Sequence, residues 1–217
     1  MGTHGGPDIV TDGLIFSADA ANKKSYPGSG TSMVDLSGNG NTCTLTNGPT
    51  FGSGNSGFIN LDGTNDKIAI SNGWNTSGAS ECFWWRNDSS NNWAGTFFGQ
   101  SNNGNKVARL LSTTKLRYYG QNSGYDYTVP TMALNTWYHT VFSDNGTNAR
   151  VYLNGIESTT GQQNTQPMTL DQIGRYHNGG ATYDFEGDIA SFRGYNRALT
   201  AAEVLQNYNA TKSRFGL

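Results

Sequence analysis

The last third of the chain contains the feature that most constrains its fold, a hairpin signal between two extended runs. Residues 149–153 and 156–158 read as strands, and Asn154-Gly155 lies between them. Both residues tolerate the positive φ that a two-residue type I′ turn requires. We therefore predict an antiparallel pair here. Residues 135–142 precede it and alternate like a strand that is buried on one face.

Short extended runs recur about every ten residues along the rest of the chain, which is the spacing of an all-β fold. Loops rich in Gly, Asn and Ser, such as 26–30 and 35–41, separate them. The 29 glycines and the low charged fraction of 14% fit many strands joined by turns. Residues 81–86 carry aromatics on both faces, so this strand is expected to be central. The other predicted strands are 12–20, 42–45, 58–61, 67–70, 94–99, 107–111, 115–119, 125–129 and one within 185–199.

The end of the chain carries a helix start signal. Thr200 and Glu203 have the spacing of a capping box, in which each side chain bonds the backbone N–H of the other. No internal repeat or linker divides the sequence, so residues 12–217 are predicted to form a single domain. Residues 1–11, polar and Gly-rich, are expected to form a flexible N-terminal arm.

Charge and hydropathy argue against several functional classes. The formal net charge is −2 without basic clustering, so no nucleic-acid partner is expected. No apolar run approaches the roughly 18 residues of a membrane span, so no membrane insertion is expected. The first residues lack the regions of a signal peptide. Cys43 and Cys82 are therefore interpreted as two reduced, buried thiols rather than a bridge.

The sequence contains six segments of interest, 13–22, 35–41, 61–66, 135–139, 151–155 and 186–190. Taken together, they resemble a laminin G-like module of the concanavalin A-like lectin/glucanase superfamily. The resemblance implies an all-β, concanavalin A-like jelly-roll β-sandwich of two antiparallel sheets, here with one short C-terminal α-helix. Residues 207–217 are also similar to the tails of such modules in phage virion proteins, especially marine ones.

Catalysis is not expected, although glycoside hydrolases share this superfamily. Such hydrolases need two carboxyl groups flanking the scissile bond, and those with this sandwich typically carry them as Glu-x-Asp-x-x-Glu on one strand. The chain lacks that motif, and its four glutamates are scattered. We therefore predict that the protein is not an enzyme.

The resemblance also implies calcium, because many of these modules bind it through carboxylate, amide and carbonyl oxygens. A structural calcium ion is the one cofactor that the resemblance implies. Each candidate has an alternative role in a turn or in loop hydrogen bonds. The candidate ligands are Asp19, Asp35, Asp62 and Asp188.

Sugar recognition normally uses an aromatic ring beneath the pyranose, with amides or carboxylates nearby. Trp74 and Tyr183 are two aromatic residues that are predicted to lie in exposed loops, in addition to the aromatic rings among the candidate sugar-binding residues. The alternative is that these rings cover the core, because the chain is poor in aliphatic residues. The candidate sugar-binding residues are Trp93, Tyr125, Tyr127, Asn122, Asp126, Tyr176 and Asn178.

These inferences lead to the hypothesis of a non-enzymatic phage virion structural protein, as a capsid decoration, fibre or tail-associated protein. Its partners would be other virion proteins and a host cell-surface glycan, and closed homo-oligomeric assembly is the default for such a protein. It would be made in the host cytoplasm and lie on the virion surface, with an extracellular location as the alternative. A purely structural subunit without a sugar site is the second hypothesis. A glycoside hydrolase or its carbohydrate-binding module is the third.

Overall fold

Two eight-stranded antiparallel sheets, here called sheet A and sheet B, are the main elements of the structure. It is a computed structural model that describes residues 7–88, 95–101, 107–120, 123–159, 169–175, 177–178 and 181–217. The one α-helix among these residues, α1, spans Ala201–Thr211. The predicted all-β fold of two antiparallel sheets with a short C-terminal helix is confirmed.

Sheet A has the predicted aromatic strand near its centre. That strand, β7 (Ser80–Asn87), lies between β12 (Trp137–Asp144) and the long strand β18 (Glu186–Tyr195). On its other side, β18 pairs with both β1 (Leu14–Asp19) and β5 (Phe58–Asp62). In spatial order the strands are β14 (Ile156–Glu157), β13 (Ala149–Leu153), β12 (Trp137–Asp144), β7 (Ser80–Asn87), β18 (Glu186–Tyr195), β5 (Phe58–Asp62) and β4 (Thr50–Gly52), with β1 (Leu14–Asp19) beside β18.

Sheet B combines strands from the two halves of the sequence. The late strand β15 (Thr169–Ile173) lies between β8 (Thr96–Gly99) and β6 (Lys67–Asn75), so residues more than 100 positions apart become neighbours. Strands β16 (His177–Asn178) and β17 (Ala181–Thr182) form a separate pair. In spatial order sheet B is β11 (Ser123–Thr128), β10 (Lys115–Gly120), β9 (Val107–Ser112), β8 (Thr96–Gly99), β15 (Thr169–Ile173), β6 (Lys67–Asn75), β3 (Thr42–Thr46) and β2 (Ser32–Val34).

The main core lies between the sheets and is built largely from aromatic rings. On β7, Phe83 and Trp85 point into it because side chains alternate along a strand. The Phe83 ring stacks on Phe192 of β18 at 4.5 Å and on Phe98 of β8 at 5.5 Å, so it joins both sheets. Aromatic rings thus supply much of the buried area that the modest aliphatic content does not.

The outer face of sheet A is covered by α1 and the 3₁₀ turn Lys212–Phe215. Trp84, which alternates outward on β7, stacks on Phe215 at 4.1 Å and donates its Nε1–H to the Thr211 hydroxyl. The predicted capping box starts this helix, since Thr200 and Glu203 bond each other's backbone N–H groups. A second and a third apolar cluster therefore lie beneath the C-terminal segment.

The predicted hairpin is confirmed in backbone conformation and pairing. Asn154 and Gly155 have φ values of 52° and 81°, and the flanking strands β13 and β14 pair antiparallel. The two thiols are also confirmed as free and buried. Cys43 faces the main core, whereas Cys82 faces the cluster under α1.

Val10, which falls within the predicted N-terminal arm 1–11, is 7% exposed. The Val10 N–H donates to Asn207 Oδ1 at 2.8 Å, and its carbonyl accepts from the Tyr195 hydroxyl at 3.0 Å. An apolar side chain within the polar segment therefore docks beside α1. Residues 1–6 lie outside the described residues.

Candidate functional site

Polar and charged side chains project from the outer face of sheet B, the face opposite the core. Strand β9 sends Ala108 and Leu110 into the core, so Arg109 between them projects outward. Ile68 of β6 likewise points inward, so its neighbour Lys67 points outward. Helix α1 and the 3₁₀ turn that follows it pack on the outer face of sheet A.

A pocket of about 270 Å³ opens on this face, where β15 lies between β6 and β8. Its lining residues are Lys67, Ser101, Gln172 and Arg175. Lys67 and Gln172 project from β6 and β15, whereas Ser101 and Arg175 follow the ends of β8 and β15. The volume is near the lower end for ligand pockets, which suits one small unit of a larger ligand.

The Gln172 amide is the most unusual polar group of the pocket. The residue is only 2% exposed, and its Oε1 lies 3.4 Å from Lys67 Nζ. In the described part of the chain, Nε2 has no hydrogen-bond partner. A buried donor without an acceptor costs about 1–3 kcal/mol, so a ligand oxygen bound there would remove this cost.

Two carboxylates near the pocket are each held by one of its lining residues. The Arg175 side chain lies 3.3 Å from the carboxylate of Asp184, which is 1% exposed. Asp171 accepts from the Ser101 N–H at 2.8 Å and from its hydroxyl at 2.6 Å. These contacts position Arg175 and Ser101 at the pocket. The lining can thus bind and orient a polar ligand through hydrogen bonds.

One exposed aromatic ring also lies on this face. Tyr183, which is 36% exposed, directly precedes Asp184, and the Arg109 guanidinium lies 4.5 Å from the centre of its ring. Its carbonyl accepts from the Thr96 N–H at 3.0 Å, which ties the segment to β8. Tyr183 thus supplies an aromatic surface near the polar pocket.

The family is decided by comparison with known sequences. Residues 62–205 match Laminin_G_3 of the concanavalin A-like lectin/glucanases superfamily, which is more than half of the chain. The chain belongs to this family. The resemblance inferred from its six segments is therefore confirmed at the level of the superfamily. A comparison with curated proteins found no match.

Solved structures with the same sandwich include sugar-acting proteins. One is Trypanosoma rangeli sialidase in complex with the inhibitor DANA, with a TM-score of 0.69 and 14% identity over 95% of this chain and 34% of that one. Another is domain 4 of AbnA, an extracellular GH43 arabinanase from Geobacillus stearothermophilus, in complex with arabinotriose. Its TM-score is 0.64, with 22% identity over 90% of this chain and 98% of that one.

A third similar structure is the binding domain of Paraclostridial Mosquitocidal Protein 1, with a TM-score of 0.65 and 19% identity over 92% of this chain and 52% of that one. The laminin G-like domain spans only about a third of the sialidase chain. At identities of 14%, 22% and 19%, the likeness of these structures to the laminin G-like domain shows a shared fold. Within its described residues, no helix has the length and apolarity needed to cross a bilayer.

The structure does not bring the predicted sugar-binding residues together in one described site. Tyr127 is 1% exposed and lies in the core, so its prediction as an exposed-loop aromatic is wrong. Tyr125 is half-buried against the same core. Asp126 is held by Arg117 at 2.5 Å, which lowers the pKa of that carboxyl. Trp93, Asn122, Tyr176 and the Asn178 side chain lie outside the described residues.

Trp74 is a second aromatic that the sequence prediction misplaced. Strand β6 continues to Asn75, so the residue is part of a strand rather than a loop. Its ring stacks on Phe16 and Phe192 at 5.4 and 5.5 Å, and its Nε1–H donates to Glu81 Oε1. Trp74 therefore closes one end of the core.

Asp35 and Asp188, two of the predicted calcium ligands, are held within the protein. The Asp35 carboxylate accepts from the backbone of Ser17 and Ser37 and from the Ser37 and Asn41 side chains. Burial raises the pKa of Asp188, although Asn60 and Arg86 both donate to its carboxylate. Internal donors thus occupy oxygens that calcium would need.

The other two aspartates also have local partners. Asp19 pairs with Arg214 at 2.7 Å, and exposed Asp62 accepts from the Thr64 N–H at 2.8 Å. In the described ranges no three His, Cys, Asp or Glu side chains group to hold a metal ion. The four predicted ligands therefore do not fit a shared calcium site. Calcium binding elsewhere on the chain stays a prediction.

Sequence reasoning missed all four pocket residues. Lys67 was assigned to a strand without a role, and Thr169–Ile173 was not predicted as a strand. Tyr183 was identified among the exposed-loop aromatics, and the structure places it on the site face. The sequence signal for Gln172, Ser101 and Arg175 was weak, because isolated Gln, Ser and Arg residues are common in polar loops.

Proposed function

We propose that this laminin G-like domain is a non-catalytic carbohydrate-binding module that holds one sugar unit in the pocket between Lys67, Ser101, Gln172 and Arg175. The unpartnered amide nitrogen of buried Gln172 carries the proposal, since a sugar oxygen would supply the acceptor that it lacks. The exposed ring of Tyr183 adds an apolar surface of the kind that sugars stack on. The isolated arabinanase domain bound to arabinotriose gives a precedent for this fold.

The positions of three glutamates support the non-catalytic reading. Glu81 is sealed in the core, Glu203 is held by the capping box, and Glu157 pairs with Arg150 on the edge of sheet A. A glycosidase needs two carboxyl groups that reach the same scissile bond. Release of reducing ends from a glycan that the protein binds would overturn the non-catalytic assignment.

The proposal is tested by measuring how tightly the wild-type protein and the variant Gln172→Met bind to a glycan array. Methionine keeps the length of the side chain and removes the amide, so binding is expected to fall at least tenfold. Thr128→Val is the matched control and should bind like the wild type. It removes one exposed hydroxyl on β11, which is an edge strand of sheet B. Equal binding by both variants would exclude the pocket. Repeating the array with calcium and with EDTA tests the predicted ion.

We also propose that the domain is displayed on a phage particle. The resemblance of residues 207–217 to the tails of virion modules, which was inferred from the sequence alone, supports this proposal, and other virion proteins would then be the second class of partner. Detection of the chain in purified particles by mass spectrometry is the test. A particle-borne chain that binds no glycan would instead favour the purely structural role.

A further inference from the structure

The orientation of the Gln172 amide determines what the pocket offers to a ligand. The Lys67 ammonium group can only donate hydrogen bonds, so the amide must turn its oxygen toward Lys67, as the distance of 3.4 Å indicates. The amide nitrogen is thereby directed away from Lys67 with two N–H donors. Among the described residues it meets no acceptor, although the side chain is 2% exposed.

The charge of Lys67 is also uncompensated. No carboxylate of the described residues lies within 4 Å of its ammonium group, and its one hydrogen-bond partner there is the neutral Gln172. Arg175 lies beside the buried carboxylate of Asp184, which offsets its charge. Asp171 does not line the pocket, and Ser101 holds both of its oxygens. The net charge of the lining is therefore positive at Lys67.

The lining offers mainly donors and positive charge, whereas a neutral sugar needs a mixture of donors and acceptors. The ammonium and guanidinium groups have no acceptor atom, and the Ser101 hydroxyl, which donates to Asp171, leaves its oxygen as the one side-chain acceptor beside the Gln172 oxygen that faces Lys67. A carboxylate only accepts, and charge-assisted bonds to it are about twice as strong as neutral ones. Its two oxygens could engage the Lys67 ammonium and the Gln172 amide together.

We propose that the pocket selects a sugar that carries a carboxylate, such as a uronic or a sialic acid. This inference rests on the proposed carbohydrate-binding function and specifies the ligand class of the same pocket. Lys67 determines the specificity and Gln172 donates the second hydrogen bond. The volume of about 270 Å³ restricts recognition to one acidic unit of a longer glycan.

The test uses an array of glycans in which every acidic member is paired with its own methyl ester. The ester keeps the sugar ring and the linkage and removes only the charge. The wild-type protein is expected to bind the acid at least tenfold more tightly than the ester, and this preference should shrink between 50 and 300 mM salt. Sulfated neutral glycans form a separate arm, because a sulfate ester could supply the same negative charge.

Lys67→Met should reduce binding of the acid to the level of the ester, and Lys67→Arg should largely restore it. Lys115→Met is the matched control, since Lys115 projects from the same face but faces Asp126 at 3.7 Å. Melting curves of the variants confirm that each is folded.

The outcomes separate the two proposals. Equal binding of acid and ester would refute acid selection and leave the sugar-binding function standing. Binding of sulfated glycans alone would refute selection for a carboxylate. Absence of binding across the whole array would refute both.

Discussion

Replacing Glu81 with glutamine is expected to stabilise the domain at neutral pH. Glu81 lies near the start of β7 and is fully buried. Its Oε1 accepts from Trp74 Nε1 at 3.2 Å, and its Oε2 has no hydrogen-bond partner among the described residues. Burial first, and then the nearby Asp144 carboxylate, raise the pKa of Glu81 well above its ordinary value of 4.5, against the opposing effect of the Trp74 bond.

The sign and size of the effect follow from proton linkage. The native state keeps its proton while the unfolded chain releases it above pH 4.5, so stability is lost as pH rises from 4.5 toward the native pKa. Each pH unit between 4.5 and the native pKa costs about 1.4 kcal/mol of stability. Glutamine keeps an oxygen for Trp74 and has no proton to release.

Urea unfolding of the wild type and of Glu81→Gln at pH 4.5, 6 and 7.5 measures this difference. The advantage of the variant should be smallest at pH 4.5 and grow with pH, and each 1.4 kcal/mol corresponds to about 3–6 °C in Tm. Glu157→Gln, an exchange on the exposed edge of sheet A, is the matched control and should leave the pH profile unchanged. Parallel profiles for Glu81→Gln and the wild type would refute the reasoning.

Three further variants test other parts of the fold. Gly155→Ala should destabilise by about 1–2 kcal/mol in urea unfolding, because φ is +81° and the new Cβ would lie 2.9 Å from Leu205 Cδ1; an unchanged midpoint would refute the turn assignment. Thr200→Ala should cost about 1 kcal/mol through loss of the cap, whereas Thr200→Ser should cost little. His139→Leu should abolish part of the acid-induced loss of stability below pH 6.5, measured as Tm against pH; an unaltered acid limb would contradict the burial of a neutral imidazole.

Local signals in the sequence were sufficient for much of the fold. Asn154-Gly155 specifies its turn by backbone conformation alone, and Thr200 and Glu203 specify the helix start by their own side chains. The aromatic strand 81–86 was correctly placed near the centre because large apolar side chains on both faces need cover on both sides. In each case the determining residues are adjacent or nearly adjacent in the chain.

The missed strand shows why the site could not be predicted in the same way. Within Thr169–Ile173, Asp171 and Gln172 interrupt the apolar alternation, so the segment resembles a polar loop. It becomes a strand because β6 and β8 pair with it on both sides. Gln172 thereby contacts Lys67, which lies 105 positions earlier in the chain, and no local sequence pattern indicates that contact. Trp74 was misplaced for a related reason, since the pairing with β15 extends β6 beyond Ile70.

Two buried titratable groups on opposite faces of sheet A set opposite pH limits to stability. Glu81 points into the main core, and His139 lies under Trp84 and Tyr208 on the outer face. Burial, aided by Arg193, lowers the pKa of His139 to about 3, so its contribution is present above the ordinary 6.5 and is lost as pH falls. Above pH 4.5 and below both 6.5 and the native pKa of Glu81, the unfolded chain holds one extra proton at His139 and lacks one at Glu81, so the two slopes oppose each other. These two groups alone therefore predict a plateau of stability in mildly acidic solution, limited by Glu81 above it and by His139 below it.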